Sequence, residues 1–335
     1  MPAAGKGFPD RPSAGVRPPA FAGRTYADNA AALRAQIDRY FTGPGGSGTP
    51  RPDAARPRGP LRGVISPHID FNRGGSVYTW AYRELVESSE ADVFVVLGVA
   101  HQRCTRRFVL TRNDFDTPLG PVRTDVGYVD RIAGLAGRHL FDDEPVHVPE
   151  HSIEFQAVFL QHLLGGRRDF RIVPILVGSF YDLMDRGVDP IENAEVRRFV
   201  EVLKAVEAES GRKVAYIGSI DLCHVGPEFG DLDPVGAATL DRVGAFDRTM
   251  LAKAAEVDPA GWFETAAEVG DRWRVCGLAA TYVMLHTIGP ARGRLLKYAQ
   301  AVDARRTCCV SFASLAFDAA PAGRRVDNRG GAARG

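Results

Sequence analysis

Residues 91–101 read Ala-Asp-Val-Phe-Val-Val-Leu-Gly-Val-Ala-His, a Val-rich apolar run that closes on a glycine and a histidine. A run of this length without polar alternation predicts a strand covered on both faces, the kind found in parallel sheets. Similar runs cover residues 62–66, 171–177 and 213–219. Between and after them the apolar spacing turns helical, around residues 76–87, 151–164, 194–209, 236–254 and 276–287. This alternation predicts an α/β fold: a layered single domain with a largely parallel central sheet flanked by helices. Two late strands, at about 294–302 and 308–316, lie close in sequence and are expected to pair antiparallel at one side.

Three histidines each follow a different predicted strand: His68, His101 and His224. Loops leaving the carboxyl ends of neighbouring strands gather along one edge of an open α/β sheet, where ligands bind. Imidazoles brought there from distant parts of the chain point to a metal or catalytic centre.

Composition narrows the partners. With 42 Lys+Arg against 41 Asp+Glu, no global charge draws the chain to nucleic acid or an anionic membrane, so a small-molecule substrate is expected. No apolar run reaches membrane-spanning length. The five cysteines are sparse and odd in number, and Cys308 and Cys309 should face opposite sides of a strand, which argues against a disulfide framework and for a cytoplasmic location. A main domain is expected over residues 17–318, with disorder at 1–16 and 319–335 and a flexible Gly/Pro-rich loop at 43–60 after an N-terminal helix around Asn29 to Tyr40.

The loops carry the chemistry. After His68, Ser76 is a plausible helix N-cap, while Gly74-Gly75 would let backbone approach a ligand closely. Asp221-Leu222-Cys223-His224 offers a carboxylate, a thiol and an imidazole, and one turn would face Asp221 and His224 toward a common point. His224 could then be a ligand or a proton shuttle, with Asp221 orienting it or taking a substrate proton, unless the segment is simply a hydrogen-bonded turn. Glu150-His151-Ser152-Ile153-Glu154 opens an apolar helix; His151 and Glu154 share a face, and capping by the acids competes with a catalytic role. Cys276 stands at the start of the helix LAATYVMLH, where a helix N-terminus would lower its thiol pKa and favour the metal-binding thiolate. Neither HExxH nor GxSxG is present.

Taken in order, several segments resemble motifs of the Memo family, whose prokaryotic members are called AmmeMemoRadiSam system protein B. They are the Pro67-His68 turn, the Gly98-to-His101 loop, the Glu150-to-Glu154 helix start, Asp221-Leu222-Cys223-His224, Val275-Cys276-Gly277 and the strand Leu296-Lys297-Tyr298-Ala299-Gln300. Residues Arg17 to Tyr26 resemble the start of those members, and the likeness runs from about residue 17 to 316. It implies a fold similar to the class III extradiol ring-cleaving dioxygenases, and a site of two histidines and one cysteine, His68, His101 and Cys276, holding iron(II) or copper. Two imidazoles and a thiolate suit those metals better than magnesium or calcium. The chain departs from the family pattern where Val99-Ala100 replace a usual Pro-Ser before the histidine, where Leu278 replaces a frequent Arg, and around Ile220 and Leu222. These changes remove polar groups from the pocket and imply a different substrate.

The expected function is therefore that of a metal-dependent redox or dioxygenase-type enzyme on a small organic substrate, with His224, Asp221, Glu154 and His151 as catalytic groups beside the metal. A non-catalytic metal- or peptide-binding protein using the same pocket is the alternative, and a metal-assisted hydrolase a further one. The family name alone implies radical-SAM and AMMECR-type protein partners.

Overall fold

The Val-rich runs lie side by side. The computed structural model describes residues 13–51 and 60–320. In chain order its strands are β1 Val16–Arg17, β2 Leu61–Ser66, β3 Val93–Val99, β4 Phe108–Leu110, β5 Asp114–Phe115, β6 Arg171–Val177, β7 Val214–Ser219, β8 His224–Val225, β9 Ala291–Val302 and β10 Cys309–Ala319. The helices are α1 Ala30–Thr42, α2 Phe71–Ser88, α3 Val126–Ala136, α4 Ser152–Leu164, α5 Tyr181–Asp185, α6 Ala194–Ser210, α7 Ala237–Ala255, α8 Pro259–Ala267 and α9 Leu278–Thr287.

The main sheet runs β4-β6-β3-β7-β2-β10-β8, with β9 paired to β10. Its centre, β6-β3-β7-β2, is parallel, as the uninterrupted apolar runs predicted; the pairs β4/β6, β2/β10, β10/β8 and β10/β9 are antiparallel. Alternate residues of β3 serve two cores. Val93, Val95 and Leu97 pack with Tyr128 of α3, Phe199 of α6 and Met284 of α9. Phe94 and Val96 face the other way, toward Tyr78 of α2 and Phe159 of α4, whose rings stack with centroids 4.9 Å apart. The period-2 geometry of a strand, with helices on both faces, yields a three-layer sandwich. Cys308 and Cys309 fall into different cores, as their adjacency predicted, and all five cysteines are free.

Three local expectations change. First, α2 starts at Phe71, one turn and more before Ser76, because Asp70 is the N-cap: its carboxylate accepts from the N–H groups of Asn72 and Arg73. Gly75 therefore lies inside the helix, where a Cβ would come within 2.5 Å of the Tyr40 ring, so it serves the packing of α1 on α2 and not ligand approach. Second, residues 43–51 of the expected flexible loop are pinned along α2. The N–H of Ser47 donates to Thr79 Oγ1, Trp80 Nε1 donates to Gly45 O, and the N–H of Arg51 donates to Glu87. Third, order begins before residue 17, since β1 pairs with β5, and β10 extends through Ala319. The rest of the predicted disorder, at 1–12 and 321–335, and of the predicted loop, at 52–59, lies outside the described residues.

Candidate metal centre

β3, β7 and β2 are consecutive neighbours in the sheet, so the loops after them meet at one edge. His101 follows β3, Asp221 follows β7 and His68 follows β2. The start of α4 is docked beside β3 by Ser152, whose Oγ accepts from Val99 N at 3.1 Å and donates to Val99 O at 3.0 Å. Gly98 makes room for this contact: a Cβ there would sit 2.6 Å from Ser152 Oγ. That docking brings Glu150 and His151 against His101. Cys276 arrives through backbone pairing, with its own N–H on Leu222 O and that of Gly277 on Asp221 O. Two residues earlier Arg274 is held at φ +53°, a left-handed conformation costly for a side chain with a Cβ.

The side chains converge. His68 Nε2 and His101 Nε2 each lie 3.2 Å from Cys276 Sγ. The other nitrogen of each ring is engaged: His68 Nδ1 donates to Ser219 O at 2.9 Å, and His101 Nδ1 donates to the Glu150 carboxylate at 3.0 Å. Both arrangements leave Nε2 turned inward, the geometry by which a carbonyl or carboxylate fixes a metal-binding imidazole. His151 completes a further grouping, because ligand nitrogens of His68, His101 and His151 all lie within 4.8 Å of one another, close enough for one ion. Two cavities meet here. One of about 330 Å³ opens on the Cys276 side, one of about 650 Å³ on the His68 side, and His101, His224 and Phe229 border both.

With this geometry in place, likeness to known proteins has a site to act on. A family model described as Memo-like protein matches residues 17–316. The chain belongs to the Memo family. Among its relatives, a MEMO1 family protein of Methanopyrus kandleri is 30% identical over 296 residues, covering 86% of this chain and 93% of the relative. A MEMO1 family protein of Methanothermobacter thermautotrophicus is 28% identical over 307 residues, covering 90% and 99%. Another, from Aquifex aeolicus, is 28% identical over 309 residues, covering 90% and 73%.

In this Memo chain the electrostatics set the two imidazoles apart. Burial pushes the His68 pKa well below its ordinary value, helped by His101 and His151. Burial also works against a charged His101, yet the Cys276 sulfur and the Glu150 carboxylate outweigh it and push that ring up to about 11. Burial would raise Glu150, but hydrogen bonds from His101 and His151 hold it well below the usual carboxylate range. A carboxylate and a sulfur thus bracket the His101 ring.

Several site expectations need correction. Burial pushes the Cys276 thiol up, against the pull of His101; the residue lies two positions ahead of α9, and the expected helix-terminus effect does not win. Asp221 does not orient His224. Its Oδ1 accepts from the N–H groups of His68 and Ile69, its Oδ2 lies 3.8 Å from His68 Nε2, and burial raises its pKa to about 7. His224 Nδ1 instead donates to Leu222 O at 3.1 Å, and burial lowers its pKa to about 4. Glu154 is fully buried and turned away from both cavities. Arg17 Nη1 meets it at 2.6 Å, the N–H groups of Ala20 and Phe21 donate to it, and so does the Tyr26 hydroxyl. It clamps the N-terminal segment, which lays Phe21 against His151 with ring centroids 5.4 Å apart. The residue missed was Glu150, which also accepts from the N–H groups of His151 and Ser152. Its sequence signal, an acid just ahead of a helix, is the same as that of an ordinary cap.

Proposed function

We propose that the protein is a metal-dependent redox enzyme of dioxygenase type acting on a small organic molecule, with iron(II) or copper held by His68, His101 and Cys276. The observation that carries this reading is the convergence of two inward Nε2 atoms on one sulfur, each ring held from behind by an acceptor. Two imidazoles and a thiol form a donor set suited to borderline and soft transition metals and unsuited to magnesium or calcium. His151 is the other candidate for the third position: its ligand nitrogen lies within 4.8 Å of those of His68 and His101, and its ring stacks on that of His101 at 22°, whereas the rings of His68 and His101 stand at 79°.

Iron or copper bound there would supply a redox-active Lewis acid with positions left for dioxygen or substrate. The surrounding groups handle protons. His224 is neutral at pH 7 and offers a lone pair at Nε2, since its Nδ1 hydrogen is committed to Leu222 O. Asp221, with one oxygen fixed by two backbone N–H groups, can hold a proton near neutrality. His151 packs between His68 and Phe21 on that side, with ring centroids 5.2 and 5.4 Å away. The dioxygenase part of the reading draws on the likeness to class III extradiol enzymes that the family resemblance implies.

The test is metal analysis of the purified chain followed by oxygen-uptake assays with catechols and other small phenolics. Stoichiometric iron or copper with substrate-dependent oxygen consumption supports the enzyme. Metal without oxygen consumption favours a metal-binding protein, and unchanged metal content in His68→Ala and Cys276→Ala variants removes the centre altogether.

A further inference from the structure

The cavity on the Cys276 side differs in character from its neighbour. Its walls are Val177, Phe180 and Met184 from the β6–α5 region and Val275, Leu278 and Ala279 around the start of α9. Only two of its lining residues carry formal charge outside the metal cluster, Asp271 and Arg274. Both are already engaged within the protein. Arg274 Nη2 pairs with Asp231 at 2.9 Å and its Nη1 donates to His224 O, while Asp271 accepts from Val275 N at 2.8 Å. A charged group placed among these apolar walls would lose its hydration, and Asp271 and Arg274 are already engaged. The His68-side cavity, by contrast, is bordered by Arg24, Arg73, Asp70 and Glu228.

At the junction stands His224, which borders both cavities and is held by its Nδ1 on Leu222 O. With Nδ1 donating to Leu222 O, Nε2 is an acceptor, so the group it receives is a donor such as a hydroxyl. A cavity of about 330 Å³ is within the range that houses small organic ligands.

We propose that the substrate is an uncharged, hydroxyl-bearing hydrocarbon, seated with its apolar part between Phe180, Met184, Leu278 and Ala279 and its hydroxyl turned toward His224 and the metal centre. The proposal rests on the metal-centre reading only for what lies at the hydroxyl end; seating of the hydrocarbon needs no metal.

Three probes with one hydrocarbon and different heads test it: 1-hexanol, hexanoate and hexylammonium, titrated into the full chain carrying methyl-¹³C methionine. Met184 lines the cavity, whereas Met250 is buried in α7 and serves as the silent reference. The expected result is a saturable shift of the Met184 methyl with 1-hexanol and none at Met250, with both ionic probes weaker by roughly tenfold or more because the apolar walls strip their charge of hydration. Ala279→Trp, which fills the seat, should abolish the response. His68→Ala, which alters the metal centre without lining this cavity, should keep it, so failure of the metal reading and failure of the seat are separately visible. An unmoved Met184 methyl, or hexanoate binding as tightly as 1-hexanol, would overturn the proposal; the wild-type shifts decide it even if Ala279→Trp does not fold.

Discussion

Glu150 is the residue on which the site turns, although it lines neither of the two cavities. Its carboxylate holds His101 through both the ring Nδ1 and the backbone N–H, and it caps the turn that carries His151. Replacing it with glutamine keeps the shape but removes the charge that fixes the imidazole. Glu150→Gln should lower metal affinity by about 10–100-fold, measured by competition with a chelator, while the thermal midpoint changes little, as expected for a partner that orients a ligand. His68, His101 and His224 were legible because each follows an apolar strand. The division of labour among them was not, since it depends on what lies behind each ring: Ser219 O, Glu150 and Leu222 O come from segments far apart or from backbone, which carries no sequence signal.

Among elements, the N-terminal segment is the least expected contributor. Arg17 is fully buried, with its Nε on His147 O and its Nη2 on Val148 O and Glu150 O, so it grips the turn that holds Glu150 while pairing with Glu154. Arg17→Met leaves Glu154 charged and unpaired in the core. It should cost about 3–5 kcal/mol in denaturant unfolding, whereas Arg17→Met with Glu154→Gln should cost distinctly less. A second buried network ties the loop after β7 to the far strands: Cys223 Sγ donates to Asp247 Oδ1 at 3.0 Å, and the Tyr298 hydroxyl donates to Oδ2 at 2.6 Å. Burial raises the Asp247 pKa despite those bonds. The folded state therefore holds this proton more tightly than the unfolded state does, and stability falls as pH rises from the ordinary carboxylate value of 3.8 through the raised one. Asp247→Asn should flatten that part of the stability–pH profile. The central strands and the helices α1, α4, α6, α7 and α9 were legible from apolar period, whereas α3 and α8 were not expected. The start of α2 and the packed stretch at 43–51 were not, because Asp70, Gly75 and Ser47 act through tertiary contacts that override local turn signals.

At the scale of the whole molecule, the parallel centre β6-β3-β7-β2 acts as a frame that delivers three loops to one edge, and β10 closes it on the far side of β2. Among the described residues no helix is long and apolar enough to cross a membrane. A site assembled from residues 68, 101 and 276 links distant parts of the fold, so a metal that binds there stabilises the chain as a unit. At a free metal concentration of a hundred times Kd the gain should be about 2.7 kcal/mol, seen as a rise in Tm that disappears in His101→Ala. The most direct test of the central claim is X-ray absorption at the metal edge of the purified protein, compared with Cys276→Ser and His151→Ala. The account predicts one sulfur scatterer, near the roughly 2.3 Å typical of metal–thiolate bonds, lost in Cys276→Ser and retained in His151→Ala. A spectrum with nitrogen and oxygen scatterers alone, altered by His151→Ala and not by Cys276→Ser, would contradict it.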